Sequence, residues 1–133
     1  MAAYVIDAPT LVHLVDAGLR LHPEVRLVAP GSLRSDALAL LLDDVVTGRR
    51  TDAEALDAHE RMTAVKVRLL GDRVSRAVAW RIAREHGWST LRDAEHLALV
   101  RLQADALVTV DDALAARAAG VVPVATIEAL VTG

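Results

Sequence analysis

Four aspartates stand where a sheet-based site would be built. Asp7 directly follows the apolar run Ala3-Tyr4-Val5-Ile6, and Asp111 directly follows Ala106-Leu107-Val108-Thr109-Val110. Asp93 falls in the first turn of one helical segment, and Asp36 lies one turn into another, beside Ala37 and Leu40. In an open parallel sheet, ligands bind beyond the carboxyl ends of the strands, so the residues that follow each strand carry most of the functional information. Carboxylates brought together there repel one another, and such a site is stable in its ionised form mainly when a divalent cation compensates the charge. Mg2+ or Mn2+ suits oxygen ligands of this sort, retains several waters and can lower the pKa of one of them enough to hydrolyse a phosphodiester. Taken one at a time, the same residues have plainer roles. Asp93 and Asp111 occupy positions where carboxylates cap helices, Asp36 fits a solvated helix face, and Asp7 suits a cap as well as a ligand. Their joint placement is what favours a shared site.

The elements that must position these acids are legible as alternating short β-rich runs and longer runs of helical period. Ala3–Ile6 reads as a strand buried on both faces. Pro9 suits the first turn of a helix carrying Leu11, Val12, Leu14 and Val15, closed by Gly18. Arg26–Ala29 reads as a second strand ending at Pro30-Gly31, and Ser32 is placed to cap a helix with Leu33, Ala37, Leu38, Leu40 and Leu41 on its inner side, closed by Gly48. Thr51 and Glu54 have capping-box spacing for a third helix over 52–62. Val65, Val67 and Leu69 alternate with Lys66 and Arg68, as in a strand with one wet face at a sheet edge. After Gly71-Asp72 a long helix carries Val74, Ala77, Val78 and Ile82 and ends at Gly87; Thr90 opens another to about Ala104. Ala106–Val110 is the next strand, followed by a short helix to Ala119, a strand through Val121, Val122 and Val124, and a terminal helix over 126–131. This order predicts right-handed crossovers and a mainly parallel sheet covered on both sides.

Composition narrows the chemistry. The 133 residues suit one domain, 53% hydrophobic and 25% charged, with only Tyr4, Trp80 and Trp88 aromatic, so the core must be aliphatic. The absence of cysteine excludes disulfides, thiolate zinc and cysteine nucleophiles and suits a cytoplasmic protein. No stretch is long enough to cross a bilayer and the N-terminus lacks a signal-peptide pattern. His13, His22, His59, His86 and His96 have no metal-ligand spacing, which argues against zinc. With net charge −3, any nucleic-acid contact must come from a local basic patch.

Three segments carry a family resemblance. Tyr4-Val5-Ile6-Asp7-Ala8, then His86-Gly87-Trp88-Ser89-Thr90 leading into Leu91-Arg92-Asp93-Ala94-Glu95-His96-Leu97-Ala98-Leu99, then Leu107-Val108-Thr109-Val110-Asp111 resemble, in order and spacing, the signature segments of PIN-domain ribonucleases, specifically the VapC-type toxins of toxin-antitoxin pairs. The resemblance covers nearly the whole chain. It implies a single PIN domain over 1–133, a three-layer α/β/α PIN-like fold with a mainly parallel, roughly five-stranded sheet, and a Mg2+-dependent endoribonuclease in which Mn2+ can substitute. The catalytic quartet would be Asp7, Asp36, Asp93 and Asp111. Asp7, Asp93 and Asp111 would hold the metal, the first two as principal ligands, with Asp111 and Asp36 also holding waters. Thr109 would orient the neighbouring carboxylates and Asp112 would be a supplementary acid, its plainer role being an exposed first-turn charge. The implied partners are an RNA substrate, a VapB-type antitoxin and a second copy of the chain.

RNA binding needs arginines near the carboxylates. Arg34, Arg49, Arg50, Arg81, Arg84, Arg92 and Arg117 are candidates, with solvated helix faces the plainer account of most. Arg92 stands apart because it precedes Asp93 at the expected rim, where it could bind RNA phosphate or pair with an acid. Trp88, on the turn before Asp93, could stack a base or be buried under that turn. Two other phosphate-handling classes lack their residues. A receiver domain needs a lysine on its last strand, whereas Lys66 is the only lysine, and a haloacid-dehalogenase-type phosphatase needs a second acid where the chain has Pro9. The remaining alternative is a catalytically degenerate PIN-like module that binds antitoxin or RNA without cleavage. Its support is Asp36, where the family usually has glutamate, and Pro9, where it tends to have Ser or Thr.

Overall fold

Val5 and Ile6 are adjacent in one strand, have no exposed surface, and pack into different apolar clusters on the two sides of a sheet. That period of two is what a fully covered parallel strand requires. The computed structural model describes residues 1–131; the last two residues of the expected 1–133 domain lie outside the described residues. The chain runs β1 (Ala2–Ile6), α1 (Ala8–Asp16), β2 (Val25–Pro30), α2 (Leu33–Val46), α3 (Asp52–Thr63), β3 (Arg68–Leu70), α4 (Arg73–His86), α5 (Arg92–Gln103), β4 (Ala106–Val108), α6 (Asp112–Ala118), β5 (Val124–Ala125) and a 3-10 turn over Ile127–Leu130. The five strands form one sheet in the order β3-β2-β1-β4-β5, and every pairing is parallel. Helices cover both faces, giving three α/β/α layers. Ile6, Leu27, Ala29 and Val108 face the cluster built with α1, α2 and α3. Val5, Val28 and Leu107 face the one built with α4, α5 and α6.

Several elements are shorter than their apolar runs predict, and the causes are local. The run 106–110 pairs only through Val108, because the Val110 N–H donates to the Thr10 hydroxyl and the Asp111 N–H to the Thr109 hydroxyl, which draws the backbone away from the ladder. Val121 and Val122 do not join the last strand: their N–H groups close the turn after α6 on the Ala118 carbonyl, leaving β5 to Val124–Ala125. The expected terminal helix is the single 3-10 turn. Of the run 65–69, only the end pairs, and Val65 and Val67 pack against the core on the way into β3, which is an edge strand. α5 starts at Arg92, with Leu91 and not Thr90 at the cap position.

Two helix faces also differ from expectation. In α2, Leu33, Ala37 and Leu41 are buried, whereas Leu38 and Leu40 are 42% and 39% exposed. The helix packs on α1 and α3 along a narrow line of residues four apart, and the flanking leucines miss it. In α4 the buried line is Ser75, Ala79, Ile82 and Ala83, with Val74 and Ala77 outside. Asp72 and Ser75 cap each other at its start, and Gly87 ends it in the left-handed region at φ 68°, where a Cβ would be strained. The capping box of Thr51 and Glu54 opens α3.

Candidate active site

The strand order reverses between β1 and β4: from the central β1 the chain builds outward through β2 and β3, then returns to place β4 and β5 on the other side. A crevice opens at such a switch point beyond the strand ends. Asp7 is the first residue past β1 and is 4% exposed. It caps α1, its Oδ1 accepting the Thr10 N–H at 3.2 Å and also the Thr10 hydroxyl, while Oδ2 accepts the Thr109 hydroxyl at 2.7 Å. Both hydroxyls then accept backbone N–H groups from the segment entering α6, Val110 on Thr10 at 3.1 Å and Asp111 on Thr109 at 3.0 Å. This network sets Asp111 relative to Asp7. Asp111 caps α6 through the Ala113 N–H at 2.9 Å.

The other two acids are held by arginines. Asp36, in the first turn of α2, accepts the Ser32 hydroxyl at 3.0 Å, so Ser32 serves this carboxylate and caps no backbone group. It also pairs with Arg92 Nε at 3.3 Å; Arg92 reaches Glu95 at 3.5 Å with its Nη1. Arg92 thus stands at the rim paired with two acids. Asp93, in the first turn of α5, caps nothing and pairs with Arg117 Nη1 at 3.0 Å. The Arg117 guanidinium lies 4.8 Å from the Trp88 ring centroid, and Trp88 in turn lies 5.1 Å from the His86 ring. Trp88 is therefore half-buried beneath an arginine. Asp112 is exposed in the first turn of α6. Of the remaining arginine candidates, Arg49 and Arg50 pair with acids at the end of α2, away from strand ends, and Arg34 donates to the Val65 carbonyl at 3.1 Å.

Asp7, Asp36, Asp93 and Asp111 line one open cleft of about 260 Å³, together with Arg92 and His96 and walled by Ala8, Pro9, Leu40 and Leu114. The all-oxygen donor set suits a hard divalent cation. Among the described residues, however, no three His, Asp or Glu side chains stand close enough to hold one ion, since Asp36 and Asp93 are turned onto guanidinium groups. Asp7 Oδ2 accepts one hydrogen bond and so keeps acceptor capacity.

Two residues of the cleft or its support escape sequence reasoning. Thr10 supplies a hydroxyl to Asp7 one residue after the position where Pro9 breaks the family pattern. His96 is 4% exposed, and its Nδ1 donates to the Arg92 carbonyl at 2.8 Å, which leaves Nε2 with the lone pair in the neutral ring. Arg117, one of the arginine candidates, does lie beside the acids, but its pairing with Asp93 had no local signal, the two residues lying on different helices.

No family model matches the chain, and no curated protein does. Solved structures do. The crystal structure of PAE2754 from Pyrobaculum aerophilum is similar with a TM-score of 0.69 at 22% identity, over 96% of this chain and 92% of that one. The structure of VapBC-1 from nontypeable Haemophilus influenzae is similar with a TM-score of 0.60 at 16% identity, over 93% of this chain and 97% of that one. At these identities what is shared is the fold. The protein has the three-layer α/β/α, PIN-like fold that its signature segments imply.

Proposed function

We propose that this protein is a VapC-type toxin, a Mg2+- or Mn2+-dependent endoribonuclease that hydrolyses RNA phosphodiester bonds and is neutralised by a VapB-type antitoxin. One observation carries the reading: four carboxylates from four separate segments line a single cleft at the switch point of a parallel sheet. The signature segments and the likeness to VapBC-1 support the same family. A cation in the cleft supplies Lewis-acid activation of water and phosphodiester. The chain contributes the rest. Thr10 and Thr109 hold the Asp7 carboxylate rigid, the Thr109 hydroxyl ties Asp111 to it, and Arg92 and Arg117 keep the acids neutralised until cation and RNA arrive. A cytoplasmic location and a homodimer belong to the same reading; among the described residues no helix is long and apolar enough to cross a membrane.

The test is cleavage of total RNA by the purified protein with Mn2+ or Mg2+, beside EDTA and the variant Asp93→Asn. Cutting by the wild type that disappears in both controls is the expected result. The second reading, a module that binds antitoxin or RNA without cutting, draws on the arginines that occupy Asp36 and Asp93. Cation binding by folded protein with no RNA cut would favour it.

A further inference from the structure

The outer face of α4 is built unlike the rest of this acidic chain. Arg73, Arg76, Trp80 and Arg84 recur at helical spacing on its exposed side with Arg81 on the flank, and Trp80 is 61% exposed in their midst. The helix carries four arginines against one acid, Glu85, while the whole chain has net charge −3. Among the described residues none of these four arginines makes an ion pair, whereas Arg49, Arg50, Arg61, Arg92 and Arg117 each do. From Arg73 to Arg84 the stripe is about 17 Å long. Both of its ends lead to the acidic cleft. Arg76 and Glu95 line one cavity, and Glu95 pairs with Arg92, the partner of Asp36. Beyond the other end, Gly87 turns the chain to Trp88, on which Arg117 rests while it pairs with Asp93.

We propose that this face of α4 binds single-stranded RNA, its arginines on successive phosphates and Trp80 stacked on an unpaired base. Unpaired guanidiniums beside an exposed indole are the combination that grips a single strand, since the charges track the backbone while any base can stack. A second copy of the chain fits poorly, because a two-fold contact through this face would set arginines against arginines. The choice of RNA among polyanions rests on the nuclease reading, but binding here needs neither metal nor cutting, so the two can fail separately.

The experiment is binding of a fluorescein-labelled single-stranded RNA oligonucleotide in EDTA, with cleavage assayed apart. The wild type should bind, and Arg81→Ala/Arg84→Ala should weaken binding about tenfold and reduce the slope of log affinity against log salt by about 1.4, two phosphate contacts' worth on a single strand. Trp80→Ala should lose about tenfold and Trp80→Phe should retain most of the affinity, a pattern that charge alone would not give. These substitutions lie on an exposed face, and circular dichroism verifies folding. Unchanged affinity in the variants overturns the proposal. So does equal binding of polyglutamate with the same losses, which would mark an acidic protein partner, or a dimer in sedimentation that Trp80→Ala dissolves. Binding that depends on α4 without any cleavage would leave this proposal standing and remove the nuclease reading.

Discussion

Thr10 is fully buried and does two jobs with one hydroxyl, donating to Asp7 and accepting from the Val110 N–H. Thr10→Val keeps the shape and deletes both bonds, leaving the buried Asp7 carboxylate and the part-buried Val110 N–H each a partner short, which costs about 2 kcal/mol. The expected outcome is a melting temperature lower by about 7 °C, read by circular dichroism, with Thr10→Ser close to wild type. Cleavage should fall further than stability explains, because the segment carrying Asp111 loses its tie to Asp7. Arg117 works in the opposite sense. It neutralises Asp93 at 3.0 Å, so Arg117→Ala should tighten Mn2+ binding about fivefold, the order of a half-exposed ion pair, when titrated by calorimetry without RNA. Unchanged affinity would mean that the cation does not use Asp93. The placement of the four acids was legible because each follows or opens an element whose hydrophobic pattern is plain. Their partners were not. Thr10 is one position away from where the pattern looks for a hydroxyl, and Arg117 is 24 residues from the acid it meets.

At the level of elements, the ends of α1 and α2 are clamped together by a charge network. Arg50 donates to both oxygens of Asp16 at the end of α1, the Nη1 bond being 2.9 Å, and through Nε to Asp44 of α2 at 2.8 Å; Arg49 bonds Asp43 and Asp44. The hydrogen bond from Arg50, then that from Arg49, holds the Asp44 carboxyl below its ordinary value, and Asp16 raises the Arg50 guanidinium. A depressed folded-state value contributes stability above the unfolded pKa of about 3.9 and loses it as pH falls through the folded one. Arg50→Ala should therefore cost about 1 kcal/mol at neutral pH and flatten the loss of stability in acid below about pH 4, measured by urea unfolding across pH. Strand and helix order was readable in the sequence, since the capping box of Thr51 and Glu54 and the turn glycines Gly18, Gly48 and Gly87 sit where the structure uses them. Strand lengths were not, because the side chains of Thr10 and Thr109 and the turn after α6 take backbone groups that apolar runs would assign to the sheet. The face of α5, which lies on β1, β2 and β4, was readable. α2 rests on other helices, and Leu38 and Leu40 fall outside its narrow contact.

For the molecule as a whole, the division of charge matters more than its total. The cleft concentrates carboxylates, α4 concentrates guanidiniums, and Arg92 and Arg117 stand between them. The central pairing of the sheet has one further consequence. β1 meets β4 with Tyr4 opposite Ala106 and Ile6 opposite Val108, and Asp7 is bonded to Thr109 across the same junction. Synthesis delivers the chain from its N-terminus at about 5–20 residues per second. For most of its time on the ribosome, the growing polypeptide thus carries Asp7 and Asp36, and later Asp93, with no fourth strand to gather them. The cleft cannot form until β4 and Asp111 have emerged, and a chain released before then, even one long enough to include three of the four acids, leaves the ribosome without it.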